Sequence, residues 1–137
     1  MPLVRIDLTG QRSDEEVGEI SRAVHDAIVD AYKIPERDYF HIVTEHPAGR
    51  IVAQDAGLGF ERSESVVMIQ IFTQRGRDRA AKQALYDGVA ASLERIGVAG
   101  EDVFLGYVEN GPEDWSFGFG RAQYLTGELA VPGSSAG

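Results

Sequence analysis

Pro2 is the residue of this chain whose position offers the most unusual chemistry. An initiator methionine before a small residue is normally excised, and excision would expose Pro2 as a secondary amine held in a ring. An ordinary α-amino group titrates at about pH 7.7–8.0. Burial lowers that value toward a neutral base, and a nearby carboxylate raises it toward a cationic acid. The ring also fixes the direction of the nitrogen relative to the segment that follows. The plainer alternative is that proline at position two has no role. Arg75 and Arg77, separated by Gly76, add a second element. In an extended turn, alternation would point both guanidinium groups the same way, and two planar forks side by side suit a carboxylate. The competing reading is a pair of solvated arginines at a helix start, a position the helix dipole disfavours. A third element is the aromatic series Trp115, Phe117, Phe119 and Tyr124, either a hydrophobic wall beside those polar groups or an ordinary hairpin packed on the core.

Other chemistries are scarce. Cysteine is absent, which removes disulfides, thiolate metal sites and thiol nucleophiles together. Ser116 stands in WSFG, so there is no G-x-S-x-G elbow. The lysines are Lys33, at the end of the first predicted helix, and Lys82, beside the apolar stripe of the second. Both are expected to be solvated, whereas a Schiff-base lysine needs a desolvated pocket. His25, His41 and His46 are expected to be partly buried, hydrogen-bonded histidines, and their spacing does not aim them at one metal. The glycines of GLGF at Gly57 and GFGRAQ at Gly118 do not open a capped helix after a strand, so neither is read as a phosphate loop.

The elements that must position these residues follow from periodicity. Val4, Ile6 and Leu8 alternate with polar residues as in a half-buried strand. Ser13 and Glu16 form a capping box, and Val17, Ile20, Val24, Ile28 and Tyr32 line one face of the helix that follows, which Pro35 stops. Residues 39–45 read as a second strand and 46–65 as loop, with a short extended piece at 50–53. Residues 66–72 are apolar at most positions, which predicts a central strand covered on both faces. Ala81, Leu85, Val89, Leu93 and Ile96 line a second helix ended by Gly97, and residues 103–108 form a fourth strand.

The halves resemble each other. QRSDE at Gln11 matches QRGRD at Gln74, and Asp38 and Glu45 fall against Asp102 and Glu109 after a one-residue slip. Strand, helix, strand, twice over, predicts an α+β fold. Its four-stranded main sheet is built from duplicated β-α-β units, about 2–46 and 66–110, with right-handed crossovers and both helices on one face. A C-terminal hairpin follows, residues 1–129 form a single domain, and 130–137 form a flexible tail. The bare sheet face then needs a cover, and a second copy of so short a chain is the simplest one.

The 137 residues carry a formal net charge of −9. A surface this acidic repels nucleic acid and anionic lipid. No apolar run nears the ~18 residues of a spanning helix, and no basic region precedes an apolar one at the N-terminus, so a cytoplasmic protein is expected.

PLVRIDL, PERDYFHIVTEHP, QDAGLGF and ENGPEDWSFGFGRAQYLTGEL together resemble the tautomerase superfamily, and within it the malonate semialdehyde decarboxylase branch, over residues 2 to about 129. The resemblance implies a β-α-β duplication assembled as a homotrimer, with no cofactor and no metal. It implies that Pro2 is the catalytic amine, with Asp38 and the arginines Arg75 and Arg77. It also implies a substrate-binding wall of Trp115, Phe117 and Leu129, with Tyr124 where the family has phenylalanine; the arginine pair is displaced by one residue from the family spacing.

The expected reaction is loss of CO2 from a small β-keto acid. Cationic Pro2 would serve the carbonyl by hydrogen bonding or as an iminium, and Asp38 would hold the amine protonated. Arg75 and Arg77 would turn the carboxylate out of the carbonyl plane. Trp115 and Phe117 would exclude water. A neutral Pro2 would instead act as a base, giving a keto–enol tautomerase of a 2-keto acid such as phenylpyruvate. Hydration of an unsaturated acid, and a trimeric anion-binding module without catalysis, are the remaining readings.

Overall fold

The computed structural model of the protein describes residues 2–131. Alternating burial puts Val4, Ile6 and Leu8 of strand β1 (Leu3–Leu8) on one sheet face, with Leu3, Arg5 and Asp7 on the other. Helix α1 (Asp14–Tyr32) starts at Ser13, whose hydroxyl accepts from the Glu16 amide while the Glu16 carboxylate accepts from the Ser13 amide. It ends at Lys33 in the left-handed conformation, two residues before Pro35. Strand β2 (Phe40–Glu45) runs parallel to β1. The second unit repeats this with β3 (Val67–Gln74), α2 (Arg79–Glu94), capped by the Asp78 carboxylate, and β4 (Val103–Asn110), parallel to β3. β1 and β3 pair antiparallel, giving the order β2-β1-β3-β4.

Both helices cover one face. Val4, Ile6, Leu8, Val67, Ile69 and Ile71 from the sheet meet Ile20, Val24 and Ile28 of α1 and Leu85, Val89 and Leu93 of α2 in one core. Each of these side chains is essentially removed from water, worth about 1.5–3 kcal/mol apiece by transfer.

Three details differ from the sequence reading. β3 is central, but along most of its length only its helix-side residues are buried: on the other face Gln70 is exposed, Met68 and Phe72 are half-buried, and Gln74 alone is buried, so its apolar alternate face lies on the open side of the sheet. Residues 50–53 form no strand. The C-terminal hairpin contracts to a single bridge between Gly118 and Arg121, because Gln123 draws the chain inward: its carboxamide bonds the Phe117 amide and the Gly118 carbonyl, and a short helix α3 (Gln123–Thr126) follows. Residues 132–137 of the expected tail, and Met1, lie outside the described residues. No helix among the described residues is long and apolar enough to cross a membrane.

Candidate active site

The site lies at the end of the sheet where β1 starts. Parallel pairing sets Leu3 against Phe40, which places Pro2 beside Tyr39 and next to Asp38. Antiparallel pairing sets Leu3 against Phe72, which places the end of β3, Thr73 and Gln74, on the other flank of Pro2. Pro2 is buried here. The Thr73 hydroxyl and the Gln74 amide nitrogen are buried too, without a hydrogen-bond partner among the described residues. Orphaned buried polar atoms are costly in a core and are expected where a ligand completes them.

On the helix side of this end is a cavity of about 500 Å³, lined by Tyr32, Asp38, Arg77, Tyr124 and Leu129 among others. The end of α1, the turn that follows it, the turn between β3 and α2, and the C-terminal segment contribute to it. Asp38 arrives on the turn between α1 and β2. Burial pushes its carboxyl above the usual carboxylate range, while positive charge at the chain's amino terminus, and then His25, pull it part of the way back. Burial, and then the Asp38 charge, push the Tyr124 phenol up to about 12, and Arg77 counteracts them. Tyr124 is thus a neutral hydrogen-bond donor at physiological pH, facing both the carboxyl and the guanidinium. Arg77 stacks over the Tyr32 ring at 4.5 Å. A carboxyl, a phenol and a guanidinium therefore surround one space. That set can hold a carboxylate at the guanidinium and donate hydrogen bonds to a carbonyl oxygen.

Arg75 does not join Arg77. Its guanidinium lies against Gly111 and 4.0 Å from the Glu113 carboxylate, mostly in solvent. The reason is Gly76, whose φ of +129° breaks the simple alternation that would have aligned the two side chains. The predicted wall is also divided. Trp115 and Phe117 stack on each other on the open side of the sheet. There they line a separate cavity of about 450 Å³ with Leu3, Phe40 and Phe72. Tyr124 and Leu129 line the Asp38 cavity. Phe117 meets Tyr124 edge to face at 5.3 Å, so the C-terminal segment wraps the sheet end and joins the two spaces. Phe119 stands in solvent under Arg121.

The histidines are hydrogen-bonded. His25 is fully buried, bonds the Glu36 carbonyl at 2.9 Å and stacks on Tyr39 at 3.9 Å. His41 bonds Ser21, whose hydroxyl also meets Tyr39. His46 bonds Asp7 at 2.6 Å. Glu36 and Tyr39 flank Asp38 closely in sequence, so this network fixes the turn that carries the carboxyl. Among the described residues no cluster of three or more His, Asp or Glu could hold a metal. Lys33 is solvated and pairs with Asp30. Lys82 departs from expectation: it is largely covered, paired with Glu109 and set over the Tyr107 ring, because β4 extends two residues past Val108 and brings Glu109 under α2.

Sequence reasoning missed Tyr32, Thr73 and Gln74. Tyr32 continues the apolar stripe of α1 and reads as core. Its one distinguishing sign is a position in the last turn, where a hydroxyl can leave the core. Thr73 and Gln74 were hidden at the polar end of an apolar strand.

The tautomerase enzyme family matches residues 38–118, and a second tautomerase enzyme family matches residues 2–61. The chain is 38% identical over 130 residues to the "Probable tautomerase YrdN" of Bacillus subtilis (strain 168), covering 94% of this chain and 100% of that protein. It superposes with a TM-score of 0.93 on a malonate semialdehyde decarboxylase, FG41, inhibited by 3-bromopropiolate. That match has 57% identity and covers 95% of this chain and 99% of the other. A further malonate semialdehyde decarboxylase, described with decarboxylase and hydratase activities, superposes at 0.88 with 38% identity, covering 93% and 98% of the two chains.

Proposed function

Because the chain belongs to the tautomerase superfamily, in the branch of the malonate semialdehyde decarboxylases, we propose that it decarboxylates a small β-keto acid of the malonate semialdehyde type. The observation that carries this reading is the convergence of Asp38, Arg77 and Tyr124 on one cavity at the start of β1. Removal of Met1 frees the Pro2 nitrogen at that point. Asp38 favours the cationic amine. Arg77 binds the substrate carboxylate, and the Pro2 ammonium donates to the carbonyl oxygen, with Tyr124 as a second donor. The bond from C2 to the carboxylate carbon breaks, and its electron pair moves toward the carbonyl to form an enolate. CO2 departs, and a proton delivered to C2 completes the aldehyde. The apolar surround of Tyr124 and Leu129 favours uncharged CO2 over the solvated carboxylate. Each tenfold in rate requires about 1.4 kcal/mol of differential stabilisation, within reach of a few such hydrogen bonds.

The open sheet face supports assembly of copies of this chain. Ile42, Phe104 and Val108 stand roughly half-exposed there beside the Trp115 cavity. A homotrimer, as the sequence resemblance implies, would cover them and enclose Trp115 and Phe117.

One observation favours a second reading. Burial of Asp38 weakens its hold on a cationic amine, and a neutral Pro2 is a base. With Trp115 and Phe117 nearby, the chain would then be a keto–enol tautomerase of an aromatic 2-keto acid such as phenylpyruvate. The pH–rate profiles with malonate semialdehyde and phenylpyruvate distinguish the two. Decarboxylation through a cationic Pro2 predicts kcat/KM falling as pH rises through the amine pKa. A rate rising through that pKa, with phenylpyruvate the better substrate, replaces it with the tautomerase.

A further inference from the structure

Arg77 has no acidic partner: among the described residues no carboxylate lies within ion-pair distance of its guanidinium. The neighbouring Arg75, by contrast, lies 4.0 Å from the Glu113 carboxylate. What holds Arg77 is an aromatic face. Its guanidinium sits 4.5 Å from the centre of the Tyr32 ring. The Tyr32 hydroxyl donates to the Tyr107 hydroxyl at 3.1 Å. Tyr107 in turn is fixed by the Tyr86 ring, packed edge-on, and by the Lys82 ammonium above its face. Lys82 is itself neutralised by Glu109.

We propose that Tyr32 is a positioning residue for carboxylate binding, holding the Arg77 guanidinium over its ring, oriented but not neutralised, with Tyr107 fixing the ring from behind. A ring face attracts a cation through its quadrupole and carries no net charge. The guanidinium therefore keeps its full charge and its N–H edges for the substrate. A carboxylate in the place of Tyr32 would hold Arg77 as firmly but would compete with the substrate for the same donors. The cost of freezing a long side chain is also met before binding, which improves affinity for a small anion with few contacts to offer.

This inference rests on the reading of Arg77 as the carboxylate-binding group, so the experiment separates the two. Binding of 3-hydroxypropionate, an unreactive small carboxylate, is measured by calorimetry alongside KM and kcat for malonate semialdehyde. Arg77→Ala tests the underlying reading: unchanged binding removes that reading and this inference with it. If Arg77→Ala weakens binding, Tyr32→Ile, which removes the ring, is expected to weaken it about tenfold. KM should rise to match and kcat should stay within about threefold. Tyr32→Phe, which keeps the ring, should stay within about threefold throughout. The effect of Tyr32→Ile must vanish in the Arg77→Ala background; an equal loss there, or none in the single variant, overturns the inference alone. Should Tyr32→Ile not fold, Tyr107→Phe frees the Tyr32 hydroxyl without altering the cavity. It is expected to weaken binding two- to threefold only while Arg77 is present, and a loss independent of Arg77 counts against the inference equally.

Discussion

The two β-α-β units place the same elements at opposite ends of one sheet, yet a cavity of about 500 Å³ opens at the first and one of about 190 Å³ at the second. A shift of 64 residues relates them from α1 onward. Lys33, Ile34 and Asp38 correspond to Gly97, Val98 and Asp102. Lys33 and Gly97 are both left-handed, and Ile34 and Val98 are both buried. The chemistry at matched positions then diverges. Among the described residues the Asp38 carboxyl takes no hydrogen bond, whereas Asp102 accepts from the Ser63 amide at 2.7 Å and from its hydroxyl at 2.5 Å. Tyr32, with Arg77 on its face, corresponds to Ile96. Arg12 closes the smaller cavity, bonded to the carbonyls of Thr9 and Ser65. Behind the turn, Ser21, His25 and His41 correspond to Leu85, Val89 and Leu105, a polar network set against plain hydrocarbon. Among the described residues, the buried side-chain polar atoms without a partner, on His25, Thr73 and Gln74, belong to the first end and the network behind it.

The sharpest way to break this comparison is to neutralise both aspartates. Asp38→Asn should lower kcat/KM for malonate semialdehyde by about 10²-fold or more, the scale of a group that sets the charge of a catalytic acid, with little change in the urea midpoint. Asp102→Asn should do the opposite. It disrupts two hydrogen bonds to a buried carboxylate, worth about 2–3 kcal/mol, and should leave activity per folded molecule within about threefold. Equal kinetic losses in the two variants would show that the ends are not functionally distinct.

A smaller effect separates the arginines. Arg77→Ala should raise KM by about tenfold or more, the value of a charge-assisted hydrogen bond to a carboxylate. Arg75→Ala should change KM by less than about threefold, since an exposed pair such as Arg75–Glu113 is worth little. Arg12→Ala should lower the unfolding midpoint with no change in KM. Steady-state kinetics and urea melts on the three variants decide this.

The contrast also explains what the sequence could reveal. Strand alternation, the capping box at Ser13, the helical stripes and the repeat are local or periodic signals, and each fixed an element or a pairing. Pro2 and Arg77 stood out because their types are chemically marked at an element's end, whereas Asp38 was singled out only through the family resemblance. At the site, the failures involve direction. Whether Arg75 follows Arg77 depends on one backbone angle at Gly76, which residue spacing does not carry. Whether Trp115 and Tyr124 face one space or two depends on how the C-terminal segment wraps the sheet end, decided by the long reach of Gln123. Tyr32 was silent because a tyrosine on a helical stripe looks the same whether its ring meets a leucine or a guanidinium.

The smallest expected effect sharpens the contrast between the polar and apolar backings of the two ends. Burial first, and then His25, lower the His41 pKa to about 4, so His41 is neutral in the folded protein at pH 7, accepting or donating at Ser21. In the unfolded chain it returns to about 6.5. Between those values the unfolded state binds more protons, so stability is full above about pH 6.5 and declines as pH falls toward 4. Allowing for the side chain's partial exposure, the loss between pH 7 and pH 5 should be about 1 kcal/mol. His41→Leu, which copies Leu105 from the other unit, removes the titrating group and should flatten the urea midpoint over that interval. A variant that loses stability between pH 7 and pH 5 as steeply as the parent would place the pH sensitivity elsewhere, and the network behind Asp38 would then differ from its apolar counterpart in shape alone.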